Sequence, residues 1–192
     1  MSSMSYAETI ILDVRIGQVS VVVSALTGRD GLGVWVSEIG VLNRVVLFRT
    51  ADTYAGLLDG RPELLAAIPK DAIQSVDVTS WRLISPLLPA GAHGGVYEWR
   101  CYELKLGQVG DVEEAFVASL PPRLELSGLV CGMVSLEGTP RLAHIWPYAD
   151  MNARMEIRAQ AVASGVWPPK VASHLNIMEN AILLPAKDSA WR

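Results

Sequence analysis

The chain has 192 residues, of which 51% are hydrophobic, and a formal net charge of −4. That length and composition suit one large domain or two small ones around an ordinary core, and they exclude extensive disorder. The acidic balance, without a run of Lys or Arg, excludes the electrostatic footprint of a nucleic-acid or anionic-membrane binder, and no apolar run approaches the roughly 18 residues that cross a bilayer.

The opening Met-Ser-Ser-Met-Ser-Tyr-Ala-Glu lacks the basic start and apolar middle of a secretory signal, so a cytoplasmic location is expected. There Cys101 and Cys131, too few for a disulfide framework, would be reduced thiols. Glu8 to Arg15 alternates as a strand and ends at Gly17-Gln18-Val19, after which Val19 to Leu26 reads as a helix. A breaker-rich loop, Thr27 to Gly33, leads to a hairpin of Val34 to Glu38 and Arg44 to Arg49. Gly28-x-x-Gly31-x-Gly33 precedes a strand instead of opening a helix, so it is not a phosphate loop. Asp52 stands at an N-cap position for a helix over Thr53 to Ala67, and a short strand follows near Ser80 to Ile84.

Pro89 to Gly95 is a small, flexible linker containing His93, and beyond it the same order returns. Val96 onward is a strand that places Glu98, Arg100, Tyr102 and Leu104 on one face, because successive strand side chains alternate. It closes at Gly107-Gln108-Val109, the tripeptide already met at Gly17. A helix over Asp111 to Leu120, a loop from Pro121 to Gly128, and a hairpin of Leu129 to Leu136 and Arg141 to Tyr148 come next. Asp150 caps a helix over Met151 to Ser164, which breaks at Gly165 and Trp167-Pro168-Pro169 and resumes toward Asn176 before a strand near Asn180 to Leu184.

The order is β-α-β-β-α-β, twice, in residues 7–88 and 96–186. Each unit is a ferredoxin-like arrangement of the α+β class, with both helices on one side of a four-stranded antiparallel sheet. One unit alone leaves its other sheet face bare, so the two tandem repeats are expected to pack sheet to sheet.

Tyr97-Glu98-x-Arg100-x-Tyr102-x-Leu104-x-x-Gly107 resembles the opening of the NIPSNAP domain, and His144-x-Trp146-x-Tyr148 resembles its third strand. Glu38-Ile39-Gly40-x-Leu42-Asn43 is similar to the segment between the family's second and third strands. The Trp167 segment and Met178-x-Asn180-x-Ile182-Leu183-x-Pro185 are similar to its last helix and strand. The resemblance implies a dimeric α/β barrel formed within one chain. That superfamily holds cofactor-free monooxygenases on aromatic polyketides, haem-degrading enzymes, lactone isomerases, cyclases and domains that only bind, so fold cannot stand in for function.

Departures between the halves matter. Ile10 and Leu12 stand in the first where Arg100 and Tyr102 stand in the second, and Val46, Phe48 and Thr50 stand where His144, Trp146 and Tyr148 do. The working pocket is therefore expected in the second repeat, with the first as scaffold. In it His144 would act as general acid or base, Arg100 would hold a carboxylate or enolate oxygen, and Tyr102 or Tyr148 would donate to a developing oxyanion, with Glu98 beside them. Trp146 and Trp99 would lie flat against an aromatic substrate, and His174 would face the ligand from the last helical segment. The bland alternative is a buried Glu98–Arg100 ion pair and a satisfied core histidine. Cys101 falls on the opposite sheet face, inside the barrel, as inert packing.

Three scattered histidines with no paired spacing give no metal site, and no cofactor is expected. The expected function is a small-molecule enzyme performing cyclisation, isomerisation, elimination or cofactor-free oxygenation on an apolar, aromatic or polyketide-like substrate. The alternative is a non-catalytic module for ligand binding or protein interaction. Edge strands left over from an internal barrel would permit a homodimer.

Overall fold

The computed structural model describes residues 5–26, 28–165 and 167–192. Met1 to Met4, where the absence of a leader was read, and Thr27 and Val166, which fall in the first loop and the break before Trp167, lie outside them. The first repeat runs β1 (Tyr6–Val14), α1 (Val19–Leu26), β2 (Gly33–Ile39), β3 (Arg44–Ala51), α2 (Tyr54–Ala66) and β4 (Ile73–Leu83). The second runs β5 (Val96–Leu104), α3 (Val109–Leu124), β6 (Cys131–Ser135), β7 (Arg141–Tyr148), α4 (Met151–Ala163) and β8 (Leu175–Pro185).

The repeated Gly-Gln-Val has a backbone cause. Gly17 and Gly107 adopt φ of 80° and 81°, a left-handed conformation that glycine takes without steric cost, and the next residue's carbonyl accepts the first helical hydrogen bond, from Val22 or Val112. Each strand-to-helix corner is thus the same tight turn.

Strands follow the order β1-β3-β2-β8-β5-β7-β6-β4 in one closed antiparallel barrel. Within it, β4-β1-β3-β2 and β8-β5-β7-β6 are the two ferredoxin-like sheets, joined by β2 against β8 and β4 against β6. Closure leaves no edge among the described strands. The free edges expected to pair two chains, or to recruit a partner, are therefore absent, because each repeat's outer strands already bond to the other repeat.

The hydrophobic side chains sort into three layers. Barrel-facing residues, among them Trp35, Phe48, Trp81, Tyr97, Trp99 and Ile145, form the interior. Ile10, Leu12 and Val45 pack under α1 and α2, and Leu104, Leu142 and Trp146 pack under α3 and α4. At one end the interior is plugged by Trp35, Phe48 and the C-terminal Trp191, whose indole donates to the Leu88 carbonyl at 2.8 Å.

Four local expectations need correction. β4 and β8 begin well before Ser80 and Asn180, and the helix said to resume toward Asn176 is a single 3-10 turn, Ala172–His174. α3 runs through Pro121 and Pro122 to Leu124 instead of ending at Leu120. Thr53, not Asp52, caps α2 through its hydroxyl, whereas Asp150 does cap α4 by accepting from the Ala153 amide at 2.8 Å. Among the described residues no helix is long and apolar enough to cross a membrane.

Candidate functional site

On β5 the alternation carries Glu98, Arg100 and Tyr102 to the helix side of the sheet, with Arg100 opposite His144 on β7 and Asn180 on β8. Glu98 is fully buried. Its Oε1 accepts from Arg100 Nε and Nη2 at 3.0 and 2.9 Å, from Arg154 Nη2 at 2.6 Å and from Arg158 Nη1 at 3.2 Å. Arg154 and Arg158 lie one helical turn apart on α4, so both reach the same carboxylate. Burial alone would raise the Glu98 carboxyl, but the Arg154 hydrogen bond and the charges of Arg100 and Arg154 outweigh it and hold the pKa below its usual value.

Three guanidiniums share one carboxylate, which leaves an excess of positive charge along this wall. Arg100 Nη1 also donates to Tyr102 Oη at 2.7 Å, so the phenol keeps its own hydrogen for another acceptor. Beside them lies a cavity of about 280 Å³ bounded by Arg100, Tyr102, Phe116, Arg158, Trp167 and Met178. The Trp167-Pro168-Pro169 segment covers it, and its lining is mostly apolar. Such a space admits a small aromatic molecule.

His144 is not a wall of this cavity. It is buried among Tyr102, Phe116, Trp146 and Trp167, with ring centroids between 5.1 and 6.2 Å. The Trp146 indole, which can only donate, gives its hydrogen to His144 Nδ1 at 2.5 Å. The neutral ring therefore carries its proton on Nε2. Burial, with Arg100 adding to it, lowers its pKa to about 3. This geometry does not support the general-base role expected of His144: the ring is walled off from the cavity, the one lone pair that could take a proton, on Nδ1, is held by the Trp146 indole, and the lowered pKa makes it a weak base.

Trp146 and Tyr148 form the layer behind Trp167 and do not line the cavity either. Trp99 points into the barrel against Trp81, on the far side of the sheet from Arg100. His174 Nδ1 is engaged by the Gln108 side-chain oxygen instead of facing the cavity. Of the residues singled out in the sequence, Arg100 and Tyr102 line the space and Glu98 anchors the guanidinium cluster.

Arg123 was not anticipated, because it follows Pro121-Pro122, a pair that reads as loop. It is 2% exposed, stacks on Trp146 at 4.2 Å, and donates to Ser127 Oγ at 2.8 Å and Tyr148 Oη at 3.2 Å. Among the described residues it forms no ion pair, and burial pushes its pKa down. Arg154 and Arg158 were also missed, although their spacing after the Asp150 cap was a usable signal.

The corresponding carboxylate of the first repeat, Glu8, is likewise buried and held by Arg49 at 2.8 Å and Arg61 at 2.7 Å. There Ile10 and Leu12 occupy the places of Arg100 and Tyr102 and pack with Val22, Leu26 and Leu64. Apolar side chains fill the layer that is hollow in the second repeat.

Both thiols are sheltered. Burial pushes Cys101 up to about 12 and Cys131 higher still. Since the thiolate is the nucleophile, the wholly buried Cys131 should not label with a maleimide near neutral pH in the folded protein and should label in about 6 M guanidinium. Rapid labelling of Cys131 in the native state would show that this shelter is not maintained. Among the described residues no group of three or more His, Cys, Asp or Glu is placed to hold a metal ion.

Residues 97–190 match the NIPSNAP family model. A NipSnap homolog of Dictyostelium discoideum is 27% identical over 176 residues, covering 83% of this chain and 77% of its own. A candidate monooxygenase from Fusobacterium nucleatum superposes with a TM-score of 0.71 at 9% identity, covering 98% of this chain and 95% of that one. An anthrone oxidase-like protein superposes at 0.64 and 9% identity, covering 97% and 94%. At such identity these two structures share the fold alone, the dimeric α/β barrel built within one chain.

Proposed function

We propose, from the premise that the chain belongs to the NIPSNAP family through its second repeat, that this repeat binds a small aromatic molecule and stabilises its anion, while the first repeat serves as scaffold. The observation that carries this is the cavity wall, where three guanidiniums converge on one carboxylate and Arg100, Arg158 and the Tyr102 hydroxyl face an otherwise apolar space. Donors fixed beside a place where negative charge develops are worth far more there than in water. An enolate or phenolate formed in the cavity is the species they fit, and enolate chemistry covers isomerisation, cyclisation, elimination and reaction with dioxygen.

The anthrone oxidase-like neighbour suggests a probe. Anthrone loses a proton from the ring methylene that lies across the central ring from its carbonyl and is conjugated with it, and with dioxygen it gives anthraquinone and water, which balances without a cofactor. A second reading, binding without turnover, is favoured by one feature: among the described residues no side chain lining the cavity is a carboxylate or an imidazole, which leaves water to take a substrate proton.

The test is incubation with anthrone under air, with anthraquinone measured by chromatography. Under the enzyme reading Arg100→Met lowers turnover by about a hundredfold, the usual effect of losing one oxyanion donor, with only a few degrees of change in Tm. Tryptophan fluorescence quenching by anthrone without product selects the binding module. Neither binding nor product from anthrone and a panel of hydroxylated aromatics removes both readings.

A further inference from the structure

The barrel end opposite Trp191 is open. Between the end of β1, the middle of β5 and the first halves of β4 and β8 lies a cavity of about 540 Å³, the larger of the two spaces bounded by β5. It is reached from the other face of that strand, so Trp99 and Cys101 line it while Arg100 and Tyr102 line the pocket described above. Trp81 and Trp99 make its floor, edge to face with centroids 6.2 Å apart. The Trp81 indole donates to Thr9 Oγ1 at 2.8 Å, so Trp81 asks nothing of a guest beyond apolar and ring contact.

Charge is arranged at the mouth in the opposite sense to the helix-side pocket. Asp13, Asp77 and Glu179 face Arg44 and Arg141. Arg44 is committed to Asp13 at 2.8 Å, and Ser75 donates to that carboxylate as well. Arg141 donates to Thr79 at 2.9 Å, stands 3.8 Å from Asp77, and lies 5.5 Å from the Trp81 ring. Asp77 is thus loosely held, and Glu179 has no ion pair among the described residues. Carboxylates exceed guanidiniums at the rim, and one cation of the protein already sits against the aromatic floor, the environment that attracts a second.

We infer that the barrel mouth is a second binding site, for a small organic amine whose apolar ring lies on Trp81 and Trp99 and whose ammonium group meets Asp77 and Glu179. This site stands independently of the anion pocket. An anion fits there poorly, as a cation fits poorly beside Arg100 and Arg158.

The test is titration of the ¹⁵N-labelled protein with 2-phenylethylamine and, separately, with 3-phenylpropionate, a similar skeleton of opposite charge. Indole N–H resonances are followed and assigned through Trp81→Phe and Trp99→Phe. The amine should move the Trp81 and Trp99 signals, the acid should not, and the Asp77→Asn, Glu179→Gln double variant should bind the amine about tenfold more weakly. Both substituted carboxylates are exposed, so the core is untouched. Equal response to the two probes, movement confined to Trp146 and Trp167, unchanged affinity in the double variant, or no movement at about 10 mM amine would each overturn the site. A shift of Trp167 by 3-phenylpropionate reports only on the anion pocket, so failure of one site is distinct from failure of the other.

Discussion

Lowering the pH from about 7.5 to about 5 should remove about 2 kcal/mol of stability through His144 alone. The imidazole titrates near 6.5 when exposed and near 3 in the folded protein, where burial and then the Arg100 charge oppose its protonation more strongly than Glu98 favours it. Between those values the unfolded chain binds a proton that the native state refuses, so stability is complete above the unfolded value and falls as the pH drops toward the folded one. The slope is about 1.4 kcal/mol per pH unit. Urea unfolding at the two pH values gives the measurement. His144→Gln keeps an acceptor for the Trp146 indole without a titrating ring, so it should lose most of this pH dependence even if it is less stable throughout. An equal pH loss in the variant would place the effect elsewhere. The same buried ring has a functional corollary: a rate profile with an apparent pKa near neutrality would have to come from a group other than His144.

Most of the architecture could be read from residue order because its signals are local. The doubled Gly-Gln-Val, the two hairpins and the Asp150 cap each act over a few residues, and each appears where the pattern put it. What failed was long-range. The first halves of β4 and β8 show Gln74 to Asp77 and Asn176 to Asn180 to solvent, so they lack the alternation that marks a half-buried strand. They are strands because β1 and β5 pair with them. α3 survives Pro121 and Pro122 because they fall in its last two turns, where the lost amide bonds are few and the packing of Phe116 and Leu120 holds the helix.

The site was half legible for a related reason. Alternation places side chains on a face but says nothing of depth. It found Glu98, Arg100 and Tyr102, which a cavity borders or whose partners border it. It nominated His144, Trp146 and Tyr148 on an equally correct face, and these lie beneath a second layer made by Trp167 and Arg123. Trp99 shows the converse case. Its parity with Cys101 assigns it to the barrel, where a different cavity meets it.

Glu98→Gln should be the most damaging single substitution on the sheet face of the second repeat, costing about 3–5 kcal/mol. The amide can still accept one or two hydrogen bonds, but Arg100, Arg154 and Arg158 then crowd one buried point with no counter-charge among them. For a chain of this length that corresponds to a fall in Tm of about 10 °C. Glu8→Gln in the first repeat faces only Arg49 and Arg61 and should cost less. Two further readouts separate charge from packing. The folded-state pKa of Glu98 is depressed, so its contribution is present above the unfolded value near 4.5 and lost as the pH falls through the lower folded one. The wild type should therefore lose stability faster than Glu98→Gln below about pH 4.5. An anion able to enter the pocket, such as benzoate, should raise the Tm of the variant more than that of the wild type, because it restores the missing charge beside Arg100 and Arg158. If Glu98→Gln unfolds at the wild-type temperature and ignores benzoate, the three arginines are not converging on that carboxylate, and the charge surplus on which the anion pocket rests is not there.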